Sequence, residues 1–241
     1  VLSVTQRTKV AVLGTGDELI MPGNPLGPGE IVYSNGFALT ALARNEGAEV
    51  SDLGIARDKV EDIVAAVRRA RTAGVDILVT SGGASVGDHD LVQRALASEG
   101  LDLSFWRVAL RPGRPMMHGR LARAGSGTMH VLGLPGNPVS SYVCAFLFMV
   151  PLIRRLSGRA DVEPAPEQAR LGRDLPANDE RADYMRATLE PGPDGPVATP
   201  LPVQDSSLMA PLAKADCLLI RPPHAPAAAA GSPCVILKLV L

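Results

Sequence analysis

From residue 9 to residue 156, short apolar runs alternate with segments whose apolar residues return every three or four positions. Residues 10–13, 50–55 and 76–80 are short enough to be strands, and 10–13 and 76–80 are largely apolar, as strands covered on both faces are. Leu39, Leu42 and Ala43 predict a helix between them, capped at Ser34 or Asn35 and ended by Gly47. Val60, Ile63, Val64 and Val67 predict a second helix behind Asp58, closed by Gly74. Residues 91–98 predict a third, with Leu91, Val92, Ala95 and Leu96 inward. Strands are expected at 105–110, 116–118 and 129–134, then a long apolar helix over 139–156. This alternation predicts an α/β fold: a doubly wound, mostly parallel sheet with helices on both faces.

The pattern changes near residues 158–166, where Pro, Ala and Glu mark a linker. Beyond it, strand-like pieces at 184–189, 197–201, 217–220 and 234–241 are punctuated by Pro and Gly, with little helical period. Residues 1–158 are therefore read as an α/β domain, and residues 159–241 as a small all-β, barrel-like domain.

With 241 residues, 46% of them hydrophobic, the chain can bury a sizeable core. A formal charge of -1 gives no sign of a nucleic-acid surface and favours a small-molecule or protein partner. Cys144, Cys217 and Cys234 are odd in number and far apart, which argues against a disulfide framework and fits a reducing cytoplasm. The longest apolar stretch, 139–156, is broken by Ser140, Ser141 and Pro151 and ends on Arg154 and Arg155, which suits a buried helix better than a membrane span.

Candidate chemistry collects where the predicted strands end, the usual ligand-binding edge of such a sheet. Residues 80–87 supply Thr80, Ser81, Gly82, Gly83, Ala84, Ser85 and Gly87, followed by Asp88 and Asp90. Small residues let backbone N–H groups wrap an anion, and the two acids suit a hard cation. No Gly-Lys-Ser/Thr follows, so this is not a P-loop. Glu18 follows the first strand and Asp58 the second; each also reads as an ordinary helix-start acid. Arg111 and Arg114, set between Pro112 and Pro115, form a stiff bend suited to an oxyanion, or simply two solvated arginines. Pro135, Gly136, Asn137 and Pro138 precede the long helix, with Ser140 and Ser141 in its first turn. His89, His118 and His130 are not at ligand spacing and read as ordinary polar residues.

Taken together, Thr-Gly-Asp-Glu-Leu (15–19), Ser-Asn-Gly (34–36), Gly-Ile-Ala-Arg-Asp (54–58), the glycine loop through Asp90, Arg-Pro-Gly-Arg-Pro (111–115) and Leu-Pro-Gly-Asn-Pro-Val-Ser (134–140) resemble the molybdopterin molybdenumtransferase family, MoeA and the homologous domain of gephyrin. Gln204-Asp205-Ser206-Ser207 and residues 212–217 resemble that family's C-terminal β-domain. The resemblance implies insertion of molybdate into adenylylated molybdopterin with loss of AMP, assisted by Mg²⁺. It implies that Asp58, Asp88 and Asp90 are metal and catalytic acids and that Glu18 is a further acid. Thr80, Ser81, Gly82, Gly83 and Ser85, with Pro135, Gly136, Asn137, Pro138 and Ser140, would hold pterin and phosphate groups, and Arg111 and Arg114 would meet molybdate or phosphoryl oxygens. A cytoplasmic homodimer in contact with the upstream adenylyltransferase is also implied.

Two departures qualify this. Arginines stand where the family often has lysines in the 111–115 segment, exchanging point charges for planar forks. Complete members carry two further N-terminal domains, so the chain is expected to be a fragment. The alternatives are the preceding adenylyltransferase step, performed on the same α/β fold by single-domain relatives, and a gephyrin-like scaffold module.

Overall fold

The computed structural model describes residues 2–82, 91–123 and 127–239. Two compact units emerge, Val1–Val108 with Pro115–Val162, and Ala109–Arg114 with Glu163–Leu241.

The first unit begins with β1 (Lys9–Thr15), a short parallel pair formed by β2 (Leu19–Ile20) and β3 (Ile31–Val32), α1 (Asn35–Asn45) and β4 (Glu49–Ala56). There follow α2 (Val60–Thr72), β5 (Ile77–Ser81), α3 (Leu91–Ser98) and β6 (Asp102–Trp106). After β7 (Leu110–Arg111), which belongs to the other unit, come β8 (Met117–Ala122), β9 (Thr128–Leu134), α4 (Pro138–Cys144), a π-helical turn (Ala145–Met149) and α5 (Val150–Leu156).

The sheet order is β4-β1-β5-β9-β8-β6. β4, β1, β5 and β9 are parallel, but β8 is antiparallel to both its neighbours, so the sheet is mixed. β8 and β9 are joined by too few residues for a crossover helix, and a short connection can only return antiparallel. On one face Ala11, Leu13, Leu78 and Val131 pack against Ile63, Val67, Val92 and Leu96 of α2 and α3. Val10, Val12, Ile77 and Val79 point the other way by strand alternation and are also buried, beneath the layer formed by α1 and the 138–156 helix. Burial on both faces is why these strands read as unbroken apolar runs.

The 138–156 helix is apolar and long enough to cross a membrane by length and composition. Here Val139, Val143, Cys144, Met149, Val150 and Ile153 are fully buried in the protein. Its π turn has a local cause: Pro151 has no N–H to give the preceding turn, and the Val150 N–H reaches five residues back to the Ala145 carbonyl.

In the second unit β10 (Pro166–Leu171), β11 (Ala182–Glu190), β12 (Val197–Pro200), α6 (Met209–Ala213), β13 (Cys217–Arg221) and β14 (Pro233–Lys238) follow in order. The strands run β12-β10-β14-β13-β11, and β12 pairs again with β11, closing a barrel. Its core holds Leu171, Ala187, Ala198, Cys217, Leu219 and Ile236. β7 adds to the free end of β11, Leu110 opposite Ala182 and Arg111 opposite Asp183.

The strand expected at 105–110 is thus two separate pieces. β6 ends at Trp106, Arg107 turns at φ +75°, and Leu110–Arg111 joins the other sheet. The pattern gave no sign of this because β6 is an edge strand whose first three residues are exposed.

Candidate functional site

The connection from β1 leads outward to β4, whereas β5 and β9 lie on β1's other side, so the topological switch falls between β1 and β5. Gly14 and Ser81 are register partners there. The next residue, Gly82, takes φ +96°, a region L side chains rarely adopt. A Cβ on it would overlap the Thr15 carbonyl oxygen and lie 3.1 Å from the Thr15 hydroxyl. Its N–H donates to the Leu134 carbonyl at 3.3 Å, so the end of β5 is held between β1 and β9. A Cβ on Gly136 would be 3.6 Å from the Gly82 Cα.

One side chain ties these loops together. The Asn35 Nδ2 donates to Ser81 Oγ at 2.7 Å and to the Gly136 carbonyl at 2.8 Å. Ser81 Oγ also lies 3.3 Å from Ser141 Oγ. Asn35 is not assigned to the site from sequence, and Ser141 is placed there only as part of the first turn of the long helix. Asn35 was expected as a helix cap, yet no side-chain cap bond forms at the start of α1. The Thr15 and Thr80 hydroxyls are buried at the same edge with no hydrogen-bond partner among the described residues, a cost that a ligand or water would relieve.

Beneath the Asn35 bridge lies Tyr33, fully buried. A Cβ on Gly14 would strike its ring, and one on Gly36 would strike its hydroxyl, so both glycines are required by the tyrosine. Its hydroxyl donates to Asp52 Oδ1 at 3.3 Å. Burial first, then the nearby Asp52 carboxylate, push its pKa far above the ordinary tyrosine value.

The ends of β1 and β4 are clasped by acids. The Asp17 N–H donates to Asp58 Oδ2 at 3.4 Å and the Asp58 N–H to Asp17 Oδ1 at 3.2 Å. Arg57 Nη1 donates to the Asp17 carbonyl at 3.2 Å. Glu18 folds back over Gly16, where an added Cβ would strike the Glu18 carboxylate, so the lack of a side chain leaves it room. Glu18 and Asp58 are both exposed. Among the described residues Asp58 accepts one long bond, which leaves its carboxylate able to take a hard cation. Among the described residues no three acidic, histidine or cysteine side chains converge as a metal site. Gly83, Ser85, Asp88 and Asp90 lie outside the described residues.

At the end of β9, Pro135 is buried and Gly136 and Asn137 are exposed. The Asn137 carbonyl accepts the Ser141 N–H at 2.9 Å, Pro138 occupies the first turn, and Ser140 is buried. Ser81, Gly82 and Gly136 are therefore brought together with Asn35, while Glu18 and Asp58 flank the same edge at β1 and β4.

Arg111 and Arg114 sit in the second unit. Arg111 is engaged there: Nη1 donates to Asp179 Oδ2 at 3.1 Å, and Nη2 to Asn178 Oδ1 at 3.3 Å and to the Asp183 carboxylate. Arg114 is exposed.

Residues 11–155 match the family model described as a probable molybdopterin binding domain, and residues 168–239 match that of the MoeA C-terminal region, domain IV. The chain belongs to the molybdopterin molybdenumtransferase (MoeA) family. It is 38% identical over 189 residues to a molybdopterin molybdenumtransferase of Nostoc sp., covering 78% of this chain and 43% of that protein. It is 32% identical over 217 residues to the Haemophilus influenzae molybdopterin molybdenumtransferase, covering 89% and 52%. A crystal structure of a molybdopterin biosynthesis MoeA protein from Pyrococcus horikosii aligns with TM-score 0.79 and 30% identity over 96% of this chain and 54% of that one. The chain spans about half the length of the curated MoeA relatives it matches.

The segment resembling the MoeA β-domain, 204–207, gathers around a buried arginine. Gln204 Oε1 accepts the Arg186 backbone N–H at 3.1 Å, its Nε2 returns a bond to the Arg186 carbonyl at 2.9 Å, and Arg186 Nη1 donates to the Asp205 carbonyl at 2.8 Å.

Proposed function

We propose that this chain carries the ligand-binding half of a molybdenum insertion reaction: molybdate enters the dithiolene of adenylylated molybdopterin and AMP is released. The observation that carries this reading is the closed edge at the β1–β5 switch, where Gly82 rests on the Thr15 carbonyl and Asn35 ties Ser81 to Gly136. Such an edge offers backbone groups and orphaned hydroxyls to a phosphorylated pterin without a side chain in the way.

In this reading residues 1–158 bind the pterin and phosphate groups through Thr80, Ser81, Gly82, Gly83, Ser85, Pro135, Gly136, Asn137, Pro138 and Ser140. Residues 159–241 form a separate domain that takes up the strand at 110–111. Asp58, Asp88 and Asp90 would hold Mg²⁺, which when bound polarises the phosphoanhydride. Glu18 and Asp58 flank the same edge as acids able to move a proton at the reacting phosphate. The Arg111–Arg114 bend would meet molybdate. Relatives named for this transfer support the reaction class, and the proposal extends to a cytoplasmic homodimer that takes its substrate from the preceding adenylyltransferase.

The test is to incubate the chain with adenylylated molybdopterin, molybdate and Mg²⁺ and to follow AMP by chromatography. Release of AMP with formation of active cofactor is expected, and Asp58→Asn should abolish it with the fold intact. ATP-dependent adenylylation of free molybdopterin, without AMP release, would replace this reading by the preceding step.

A further inference from the structure

An asparagine side chain carries two N–H donors and one carbonyl oxygen with two lone pairs. At Asn35 both donors are in use, on Ser81 Oγ at 2.7 Å and on the Gly136 carbonyl at 2.8 Å. A backbone carbonyl can only accept, so the bond to Gly136 settles which end of the amide is nitrogen and leaves Oδ1 on the other side. Among the described residues Oδ1 accepts no hydrogen bond, and the amide does not cap α1 either. Asn35 is half-buried, within reach of a ligand.

The acceptor is also held in place. Gly36, the next residue, lies against the fully buried Tyr33, whose hydroxyl a Cβ there would strike. With its nitrogen tethered at two points and its backbone seated on that ring, the amide has little freedom left to lose, so a hydrogen bond to Oδ1 forms at small entropic cost. Its polarity is selective. Oδ1 and the Gly136 carbonyl, which keeps a second lone pair, make an acceptor-rich corner at the sheet edge. Phosphate and molybdate oxygens are themselves acceptors and are disfavoured there, whereas a ring bearing N–H donors is favoured.

We infer that Asn35 is a specificity-determining residue: its Oδ1 accepts a hydrogen bond from the exocyclic amino group of the pterin and so fixes which end of the ligand lies at the Asn35 bridge. The phosphate end is then left to the backbone N–H groups of the neighbouring loops. This rests on the proposed reading of the site as one for a phosphorylated pterin. The amino group is the matching partner because it projects beyond the ring, carries two N–H donors and, with its lone pair conjugated, accepts nothing.

The experiment is fluorescence titration of two probes with the 241-residue chain: 6-hydroxymethylpterin phosphate, and its lumazine counterpart, in which oxygen replaces the 2-amino group. Variants are checked for folding by circular dichroism. The wild-type chain should prefer the pterin by roughly 10- to 100-fold, because the lumazine sets an oxygen against Oδ1. Asn35→Ala should bring the two probes to within about 3-fold of each other, whereas Asn35→Asp, which keeps an acceptor but loses both N–H donors, should retain the preference. The two variants separate the acceptor from the bridge, since a merely structural Asn35 would weaken both probes alike in each. Equal affinities in the wild type, or a preference that survives Asn35→Ala or is lost in Asn35→Asp, overturns this inference and leaves pterin binding standing. A wild-type chain that binds neither probe overturns the underlying reading, and this inference with it.

Discussion

Replacing Gly82 by alanine isolates the contact on which the site is built. Two costs add. At φ +96° a side chain is strained whatever the space around it, worth about 1–2 kcal/mol. The new Cβ also overlaps the Thr15 carbonyl, a backbone atom that cannot swing away as a flexible side chain would, and such overpacking costs about 1–3 kcal/mol. Gly47 supplies the control: it has φ +85° with nothing within 4 Å of an added Cβ, so Gly47→Ala bears the strain without the overlap. The entropy that alanine removes from the unfolded chain is common to both and cancels in the difference. Gly82→Ala should therefore melt lower than Gly47→Ala by about 2–12 °C, at 2–4 °C per kcal/mol for a chain of this size. The only tryptophan of the sequence, Trp106, packs on the α2–α3 core, so its fluorescence reports the first unit alone. Melting temperatures of the two variants that agree to within about 1 °C would refute the close approach of β5 to β1.

Asn35→Ala removes both bonds that join Ser81 to Gly136 and should cost about 1–3 kcal/mol in urea unfolding followed at Trp106; an unchanged midpoint would mean that the bridge is not formed in solution. All three tyrosines, Tyr33, Tyr142 and Tyr184, have burial as the first cause of a raised pKa, so phenolate absorbance at 295 nm should develop above the ordinary value of 10.0, with Tyr33, also beside Asp52, the last to ionise. A titration midpoint at or below 10.0 for the three together would contradict the packing. His118 and His130, stacked with Nε2 and Nδ1 3.2 Å apart, are both pushed below 6.5, by desolvation first and by Arg120 and, for His118, its partner ring next. The folded state thus binds fewer protons, and stability present above pH 6.5 is lost as pH falls below it. The His118→Gln variant should lose less stability than wild type between neutral and mildly acidic pH, and parallel losses would sink the assignment.

How much of this was legible in the sequence depended on burial. β1, β5 and β9 announce themselves because helices cover both faces and every position can be apolar. β10 was hidden because only Ala169 and Leu171 mark its inward face and Glu167 stands at the third inward position, and α6, at five residues, is too short for a period to form. At the site, the glycines at strand ends were visible since close backbone approach needs them wherever it occurs. The partners were not. A Ser-Asn-Gly tripeptide looks the same whether its amide caps a helix or, as here, reaches Ser81 and Gly136, 46 and 101 residues away. Arg111 likewise looked free, because the carboxylates that engage it stand 68 and 72 residues on.

The borrowing of residues 109–114 by the barrel has a practical consequence for dissection of the protein. The polypeptide passes from one unit to the other three times, after Val108, after Arg114 and after Val162. A gene fragment beginning at residue 163 would omit β7, baring part of the β11 edge as a template for pairing with other chains. It would also leave the buried Asp183 carboxylate without its counter-ion. Inserting residues 109–114 ahead of such a fragment through a flexible tether should recover solubility, making the six-residue loan a separable complement to the barrel.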